Sequence, residues 1–578
     1  MKMTSAVIIA FAAILGVVTD HAQVEERPLP RLVKKDGRFA LFVDNAPYLI
    51  MGVEDLTMGE WPTRPNVWRG LEYMNVNTVE IPVYWEDFEP QPGQYDYTVI
   101  DRLLTEARQH NVHLVPLWFG TYKNGQQHYM PDWIKLAPDR YPHMVDKDGN
   151  TLDSPSPYAT ASLDADKSAF AALMRHLKEA DPQRTTLMVQ VENEAGTWDS
   201  VRDYSPAAQK LFEAPVPPEL LRAMRVKTAS PSPTWQEAFG PDAEEYFHAW
   251  SVARYVGQVA AAGKAVYPLP MFTNCALRNP LHPGRPGVRG ALDTDISYES
   301  GGPTDNVIPI WKVAAPALDI LAPDDYQNDP AAYLKVLELY HRDDNPLYLP
   351  ETACPQCARF FFSGLGLQTI GFSPAADTTQ PYLLGAQAGT QAGELNAWQG
   401  YRLVEDFLTP WGMDFRLIGP MQREIARLNF EGKLQAVAEL QGKATETLRF
   451  GSWDAKVTWG SLRGMHLTAN PTPTGRVLVA QLDDNQFLVA GYSCSVDFWP
   501  AGTEQQRQSQ HIVAGTERVP SALIDGKWQH RQFLRVEQVT DENGVFKHVR
   551  TWSGLGGEIH GLEFGEEPVV LRAALATY

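Results

Sequence analysis

The sequence predicts an α/β protein in which a (β/α)8 barrel, a TIM barrel, is followed by an all-β C-terminal domain. From about residue 30 to 430, short apolar runs typical of strands alternate with segments whose apolar residues recur at helical spacing. After about residue 430, short runs rich in β-formers are separated by polar, turn-like residues. An open doubly wound sheet is the alternative for the first part, but no GxGxxG or P-loop pattern supports it.

Eight strand candidates account for the barrel. They span residues 48–53, 75–83, 112–119, 186–191, 268–274, 319–323, 346–350 and 368–373. Between them, apolar side chains recur at helical spacing at Ile100, Leu103, Leu104 and Ala107, and again at Phe170, Leu173, Met174 and Leu177. The proline-rich segment from about 197 to 240 is predicted to be an irregular insertion. Long insertions of this kind are compatible with a barrel of about 400 residues.

The C-terminal part is predicted to form strands near residues 448–457, 476–482, 486–492 and 532–539. Polar residues typical of tight turns lie at 483–485 and 541–544. We therefore divide the chain into a signal peptide at 1–22, a barrel domain at 23–430 and a β-rich domain at 431–578. The last domain is expected to buttress the barrel or an oligomer interface rather than bind polysaccharide, because no exposed aromatic trio at strand spacing is evident.

Composition and charge narrow the classes of partner. The 578 residues carry a formal net charge of -20, and no basic run interrupts this acidity. Nucleic acid and anionic membranes need clustered positive charge, so neither is expected as a partner. The N-terminus has one positive charge, Lys2, before an apolar stretch at 6–18 that is too short to span a membrane comfortably. This pattern predicts an export signal cleaved near Ala22 and a periplasmic or extracellular protein, with an uncleaved anchor as the alternative.

Cysteine and histidine patterns argue against a metal centre. The four cysteines include one CxxC pair, Cys354 and Cys357, with no second pair at metal-ligand spacing. In an exported protein we expect a local disulfide at this pair, which would stiffen the loop after Glu351. The 14 histidines show no HExxH motif and no paired ligand spacing. No cofactor and no catalytic metal are therefore predicted.

Two glutamates at the ends of predicted strands stand out. Glu194 ends the run 187–194, and Glu351 ends the run 346–351. A retaining glycosidase requires two carboxyls at the C-terminal ends of barrel strands. One donates a proton, and the other, about 5 Å away, attacks the anomeric carbon. The pattern alone does not choose between Glu192 and Glu194, because both lie on one face if the strand stays extended.

A family resemblance bears on this choice. The segment 190–196 (QVENEAG) resembles the acid/base motif of family 35 glycoside hydrolases, which are mainly β-galactosidases, and the segment 347–352 (LYLPET) resembles their nucleophile strand. The run 77–90 (NTVEIPVYWEDFEP) is similar to an early barrel strand of the same group, and the tail is similar to a β-rich domain of its bacterial members. One departure is Ala195, since the commoner family motif has Tyr at that place.

The resemblance implies specific roles. Glu194 would be the acid/base, Asn193 a ligand of the sugar 2-hydroxyl, and Glu351 the nucleophile. The chain would then be an exported, retaining exo-β-galactosidase that works by double displacement. Its expected partner is a galactosylated oligosaccharide derived from a plant polysaccharide, with xyloglucan fragments as one case.

Further substrate-binding candidates rest on position. Glu54 follows the first strand candidate, and Tyr84, Trp118 and Tyr326 fall at or near strand ends. Each aromatic residue is a candidate to stack on a sugar or to orient Glu351, with core packing as the alternative.

Two other functions stay open. Another retaining β-glycosidase, such as a glucosidase or an arabinosidase, would use the same two carboxyls. A non-catalytic carbohydrate-binding protein on a barrel scaffold has no need for both glutamates, so the presence of both favours an enzyme. Whether copies of the chain form a homo-oligomer is also left open.

Overall fold

The computed structural model describes residues 27–55, 67–287, 297–352, 355–376, 405–463, 466–501, 521–524, 527–542, 545–551 and 561–577. The predicted signal peptide lies outside these residues. Every helix within them is too short or too polar to cross a lipid bilayer.

The first three strands form an antiparallel meander that precedes the barrel, and the later strands include those of the barrel itself. In chain order the strands up to residue 193 are β1 (Arg31–Lys35), β2 (Arg38–Val43), β3 (Ala46–Tyr48), β4 (Ile50–Met51), β5 (Glu54–Asp55), β6 (Thr78–Tyr84), β7 (His113–Lys123), β8 (His143–Val145), β9 (Thr151–Pro155) and β10 (Val189–Asn193). Those up to residue 376 are β11 (Met271–Ala276), β12 (Arg285–Pro286), β13 (Ser297–Tyr298), β14 (Ile320–Asp325), β15 (Leu349–Thr352) and β16 (Gly371–Ala376).

The barrel contains the eight predicted strands. Neighbouring strands follow the order β5, β6, β7, β10, β11, β14, β15 and β16, and β16 closes the sheet on β4 and β5, which form one interrupted strand. All these pairings are parallel. The predicted (β/α)8 fold is therefore confirmed, although β7 and β14 extend further than predicted. A parallel barrel brings the carboxyl ends of its strands to one rim.

Helices cover the outside of the barrel. They are α1 (Val67–Met74), α2 (Trp85–Phe88), α3 (Thr98–Gln109), α4 (Asp132–Lys135), α5 (Thr160–Ala180), α6 (Pro206–Phe212), α7 (Pro218–Ala223), α8 (Trp235–Phe239), α9 (Ala243–Val266), α10 (Ile308–Ala314), α11 (Pro330–Tyr340), α12 (Phe360–Gly366), α13 (Glu405–Ile418) and α14 (Gln422–Phe430). The predicted apolar faces of α3 and α5 are buried. The insertion at 197–240 is not irregular throughout, because it contains α6, α7 and α8. Ser205 caps α6, and Thr234 and Glu237 form a capping box at α8.

The described C-terminal residues form two multi-stranded antiparallel sheets and a separate pair of three-residue strands. Its strands are β17 (Leu434–Ala438), β18 (Thr445–Phe450), β19 (Trp453–Trp459), β20 (Ser461–Arg463), β21 (His466–Thr468), β22 (Arg476–Asp483), β23 (Gln486–Tyr492), β24 (Cys494–Pro500), β25 (Ser521–Ile524), β26 (Lys527–Glu542), β27 (Val545–Thr551), β28 (Leu562–Phe564) and β29 (Val569–Thr577). The larger sheet has the order β17-β22-β23-β29-β26-β25, with β27 on β26, and a smaller one has the order β18-β19-β24-β28. The predicted run 448–457 is divided between β18 and β19, because Gly451 turns the chain with a φ of 46°.

The larger sheet is covered on both faces. Leu478 of β22 belongs to the core shared with the barrel helices, whereas its neighbours Val477 and Val479 belong to a second core with the smaller sheet. This alternation is expected for a strand that is buried on both sides. The predicted boundary at 430/431 falls between α14 and β17, and the limits of the domains stay a prediction.

Candidate active site

The barrel rim brings together acidic side chains from distant parts of the chain. Glu54 lies on β5, Asp324 on β14 and Glu351 on β15, while Glu194 directly follows β10. One carboxyl oxygen from each of Glu194, Asp324 and Glu351 lies within 4.8 Å of the other two. Glu194 and Glu351 are therefore neighbours, although 157 positions (351 − 194) separate them in the sequence.

A distortion of β10 separates Glu192 from Glu194. Both residues adopt positive φ angles, 61° and 45°, which are uncommon for residues other than glycine. The strand therefore does not stay extended, and the two side chains do not share a face as an extended strand would require. The charge of Glu351 raises the pKa of Glu194, so these two side chains are close. The side chain of Glu192 is instead hydrogen-bonded to Asp166 of α5. The geometry thus places Glu194, and not Glu192, beside Glu351.

Asn274 of β11 connects the residues around Glu194. Its Oδ1 accepts a hydrogen bond from the backbone N–H of Glu194 at 2.9 Å, and its Nδ2 donates to Asp324 Oδ2 at 2.8 Å and to Asn193 Oδ1 at 3.2 Å. Asn193 Oδ1 also accepts from Gln190 Nε2 at 3.2 Å. These bonds leave Asn193 Nδ2 buried and without a partner among the described residues. A buried donor of this kind is suited to a polar ligand.

The carboxyl group of Glu194 keeps its proton to a higher pH than an ordinary glutamate does. Burial and, next, the charge of Glu351 raise the pKa of Glu194 to about 7, while Lys123 and a hydrogen bond with Asp324 act in the opposite direction. Glu194 is therefore protonated at slightly acidic pH and able to release its proton near neutrality. This behaviour suits a general acid and base.

Two further carboxyls share protons with this pair. Burial raises the pKa of Asp324 well above its ordinary range, and the charges of Glu351 and Glu194 add to the effect. Burial and then the charge of Glu351 also raise the pKa of Glu54, which shares a hydrogen bond with Glu351. A hydrogen bond between two carboxyl groups requires a proton on one of them. The site therefore carries less negative charge than its four carboxyls would at full ionisation.

Lys123 is a site residue that the sequence reasoning does not find. It ends β7, and its Nζ lies 4.7 Å from the centre of the Phe119 ring. Burial lowers the pKa of Lys123, but the charges of four carboxyls, led by Glu351 and Glu194, outweigh burial and raise it. Lys123 is therefore a cation that balances part of the negative charge of the site.

A bulge in β7 carries Lys123 into the site. Val191 of β10 pairs with Trp118, but two residues later Asn193 pairs with Lys123. Residues 119–122 of β7 are thus accommodated opposite Glu192 alone. The predicted strand stops at 119, because such a bulge interrupts the alternation on which the prediction depends.

Two of the three aromatic candidates lie at the site. The Tyr326 hydroxyl donates a hydrogen bond to Glu351 Oε1, which fits the expected orienting role. Tyr84 ends β6, and its ring centre lies 4.3 Å from that of Tyr129. Burial, followed by the charges of Tyr129 and Glu54, raises the pKa of Tyr84. Tyr84 thus lies close to the predicted sugar ligand Glu54.

The prediction that Trp118 contacts the sugar is wrong. Its side chain has no exposed area, and its Nε1 donates to Asp166 Oδ1 at 2.9 Å. Its ring packs against Trp85 and Phe170, with centroids 6.1 and 5.8 Å away. Successive residues of a strand face opposite sides, and Trp118 faces the helices rather than the barrel interior. Core packing, the alternative interpretation, accounts for this residue.

Glu80 lies beside Glu54 on the neighbouring strand. The two residues are in register between β6 and β5. Glu80 has no exposed area and accepts a hydrogen bond from the Tyr348 hydroxyl. Burial raises the pKa of Glu80 to about 8, although bonds from Ser373 and Tyr348 lower it. Glu80 is therefore a buried acid that is protonated at neutral pH.

A disulfide-bonded cysteine follows β15. Cys357 is disulfide-bonded, whereas Cys275 and Cys494 are free and buried. Cys354 lies outside the described residues. The bonded state of Cys357 supports the predicted local disulfide in the loop after Glu351.

The carboxyl oxygens of the cluster lie close enough together to serve as ligands of one metal ion. Glu194, Asp324 and Glu351 each offer one oxygen within 4.8 Å of the others. The ammonium of Lys123 already supplies a positive charge to these groups. The absence of a catalytic metal stays a prediction.

Two family models match parts of the chain. Residues 61–257 match the glycoside hydrolase family 42 model, described as "Beta-galactosidase", and residues 412–555 match "Domain of unknown function (DUF5597)". The first match includes Glu194 and Asn193 and ends before Glu351. Together with the paired carboxyls, it supports a glycoside hydrolase. Family 35, which the sequence motifs resemble, is not confirmed, because the matching model belongs to a related family.

Two solved structures that match the chain resemble it only distantly. The catalytic domain of β-amylase from Paenibacillus polymyxa has 13% identity and a TM-score of 0.40, and the match covers 61% of this chain and 96% of that one. The exo-β-1,4-mannosidase Op5Man5 from Opitutaceae bacterium strain TAV5 has 15% identity and a TM-score of 0.37, with 69% and 62% covered. At these values neither likeness carries an argument about the substrate. No curated protein matches the chain.

Proposed function

We propose that the protein is an exported, retaining exo-β-galactosidase that releases terminal galactose by double displacement. The observation that carries this proposal is the approach of Glu194 and Glu351, with one oxygen of each within 4.8 Å of the other. Retaining glycosidases hold their two carboxyls about 5–5.5 Å apart, whereas inverting enzymes need about 6.5–9.5 Å to admit a water molecule. The match of residues 61–257 to a β-galactosidase model favours galactose as the sugar.

In the first step, Glu194 donates its proton to the glycosidic oxygen. The bond between that oxygen and the anomeric carbon breaks, and the carboxylate of Glu351 forms a bond to the same carbon. The products are a galactosyl-enzyme and the free alcohol of the leaving group. The Tyr326 hydroxyl, bonded to Glu351 Oε1, orients the attacking carboxylate.

In the second step, Glu194 acts as a base. In the free enzyme, the negative charge of Glu351 helps to raise the pKa of Glu194. Formation of the covalent bond removes that charge. The pKa of Glu194 therefore falls, and the group accepts a proton from water. The water oxygen attacks the anomeric carbon, Glu351 leaves as a carboxylate, and galactose is released with its configuration retained.

Buried polar groups around the pair would bind the sugar hydroxyls. Asn193 Nδ2 has no partner among the described residues and is assigned to the 2-hydroxyl, as the family resemblance implies. Glu54, Lys123 and Tyr84 surround the same space and are assigned to the other hydroxyls. A site that bonds specific hydroxyls rejects analogues that lack them, because its polar groups are then left unpaired.

The natural substrate and location are part of the same proposal. We assign the enzyme to galactose-capped oligosaccharides of plant polysaccharides, such as xyloglucan fragments, outside the cytoplasm. The predicted signal peptide at 1–22 and the motif resemblance support these assignments. The β-rich C-terminal part is assigned a buttressing role, because its larger sheet shares a core with the barrel helices.

A panel of chromogenic β-glycosides tests the activity, with ¹H NMR used to identify the anomer that is released first. We expect the β-galactoside to be cleaved fastest, with β-galactose as the first product and with no loss of rate in EDTA. Glu351→Gln should be inactive, while Glu338→Gln, an exposed change on α11, should match the wild type.

Other outcomes would redirect or refute the proposal. Preference for a glucoside or an arabinoside would favour the alternative β-glycosidase. Release of the α-anomer would refute retention. Wild-type inactivity on the whole panel would refute the enzyme function, and full activity of Glu351→Gln would refute the nucleophile assignment.

A further inference from the structure

Two buried carboxyls meet behind the active site, on the side of β7 that faces the helices. Glu192 and Asp166 have no exposed area and are hydrogen-bonded to each other. Glu192 Oε2 accepts the backbone N–H of Tyr122 at 2.7 Å. Asp166 accepts from Trp118 Nε1 at 2.9 Å and from Thr121 Oγ1 at 2.7 Å. The three donors lie in or next to the β7 bulge at 119–122.

The bond between these carboxyls requires one proton. Glu192 Oε1 accepts no hydrogen bond among the described residues, so it is free to carry that proton. Burial, followed by the charge of Asp166, raises the pKa of Glu192 well above its ordinary range. The bonds from Trp118 and Thr121 favour the charged form of Asp166. The proton therefore belongs on Glu192, which donates to the Asp166 carboxylate.

The pair satisfies groups that the bulge removes from the sheet. The Tyr122 N–H has no ladder partner within the bulge, and an unpaired buried N–H is costly to the fold. The fit is also tight, since a Cβ on Gly120 would lie 2.3 Å from Trp118 Nε1 and 2.9 Å from Glu192 Oε1. Immediately after the bulge, Lys123 enters the site, and two residues after Glu192 comes Glu194.

We propose that Glu192 and Asp166 share one proton and form a positioning pair, which holds the β7 bulge and thereby aims Lys123 and Glu194 into the active site. Neither member of the pair touches the substrate. The positioning role rests on the proposed function, because its effect is measured on glycoside hydrolysis. The shared proton does not, because it has a spectroscopic readout of its own.

Conservative and apolar substitutions of Glu192 separate positioning from a direct role. In Glu192→Gln the amide oxygen accepts from Tyr122 and the amide N–H donates to Asp166, so we expect kcat within about threefold of the wild type. Glu192→Met loses both bonds, and kcat should fall about 100-fold, as expected for a displacement of about 1 Å at the reacting groups. The proposal would be overturned if Glu192→Gln were as inactive as Glu192→Met, or if Glu192→Met were as active as the wild type.

A double-mutant cycle tests whether the pair acts through Lys123. If it does, Glu192→Met adds little to the loss already caused by Lys123→Met, because the two changes remove one function. Additive losses would contradict this route. Asp414→Asn is the matched control, since it alters a fully buried carboxyl at the barrel–sheet junction. It should change the unfolding midpoint without coupling to Lys123.

Infrared difference spectroscopy reads the shared proton without activity. The wild type minus Glu192→Gln spectrum at pH 7 should show the carbonyl band of a protonated carboxyl, and a spectrum without this band would overturn the shared proton. If the wild type hydrolyses no β-glycoside, the proposed function fails, and the infrared band still decides the protonation of the pair.

Discussion

Two buried clusters of charged side chains in this molecule are built in opposite ways. At the junction between α13 and the larger C-terminal sheet, Asp414 accepts a hydrogen bond from the Tyr492 hydroxyl at 2.7 Å and forms a 2.8 Å ion pair with Arg476. Its pKa rises to about 6 through burial, but Arg476 keeps it below neutral pH. At the barrel rim, by contrast, Glu194 and Glu351 face each other and further carboxyls, with Lys123 as a neighbouring cation.

The difference separates a structural use of buried charge from a chemical one. At the junction an acid and a base neutralise each other, so the charges hold two parts of the fold together. At the rim, repulsion between like charges keeps protons on carboxyl groups near neutral pH. This repulsion destabilises the fold, but it provides the protonated and the ionised carboxyl that the proposed mechanism needs. Changes at the junction should therefore affect stability, and changes at the rim should affect rate.

After Glu351→Gln, the largest effect is expected for Glu194→Ala. Removal of the proton donor should lower kcat/KM about 10²–10⁴-fold for a substrate with a poor leaving group, and much less for an activated aryl β-galactoside. Azide should accelerate turnover of the aryl substrate and yield a β-galactosyl azide, because a small anion that needs no base can occupy the space of the missing carboxyl. Product analysis by NMR would check this. Failure of azide to accelerate the variant would contradict the acid/base assignment.

The junction should respond in stability rather than in rate. Asp414→Ala leaves the buried guanidinium of Arg476 without its partner, which we expect to cost about 3–5 kcal/mol of unfolding free energy. Urea denaturation measures this loss, and kcat well below the unfolding transition should be unchanged. Asp414→Ala combined with Arg476→Met should regain much of the stability. A fall in kcat equal to that of a rim variant would erase the contrast between the two clusters.

Lys123→Met tests the electrostatics of the rim. The proposed mechanism requires the protonated form of Glu194, which is present below its pKa of about 7 and is lost as the pH rises through that value. Because Lys123 lowers this pKa, its removal should move the alkaline limb of kcat/KM to higher pH and reduce kcat/KM about 10–100-fold. Lys123→Arg should keep the limb near its original position. A limb that does not move in Lys123→Met would show that another group controls it.

The sequence predicts the barrel better than it predicts the rim. Strand and helix periodicity locates all eight barrel strands, and residues at the strand ends include Glu194, Glu351 and Glu54. Lys123 is missed because the β7 bulge has no periodic signal, and Trp118 is misplaced because the side on which a single strand residue faces depends on register. The first error arises where β10 and β7 lose register, whereas Trp118 lies in the regular part of β7 just before that point. A bulge is decided by tertiary hydrogen bonds, which a single sequence does not display.

Counted per pH unit, the smallest effect is expected for Glu80, the buried acid beside Glu54, and it concerns stability at the rim. Its pKa in the fold is about 8, compared with about 4.3 for an unfolded glutamate. Since the folded state binds the proton more tightly, the stability from this group is complete below about pH 4.3 and is lost as the pH rises through 8. Glu80→Gln keeps an acceptor for Tyr348 but has no proton to lose. Between pH 5 and 8, the unfolding free energy of this variant should therefore fall less steeply than that of the wild type, by about 1.4 kcal/mol per pH unit. Urea titrations at several pH values would measure the slope, with Asp414→Asn as the junction counterpart. An unchanged slope would mean that Glu80 is ionised in the fold, and the contrast with the junction would then rest on the groups nearest Glu351.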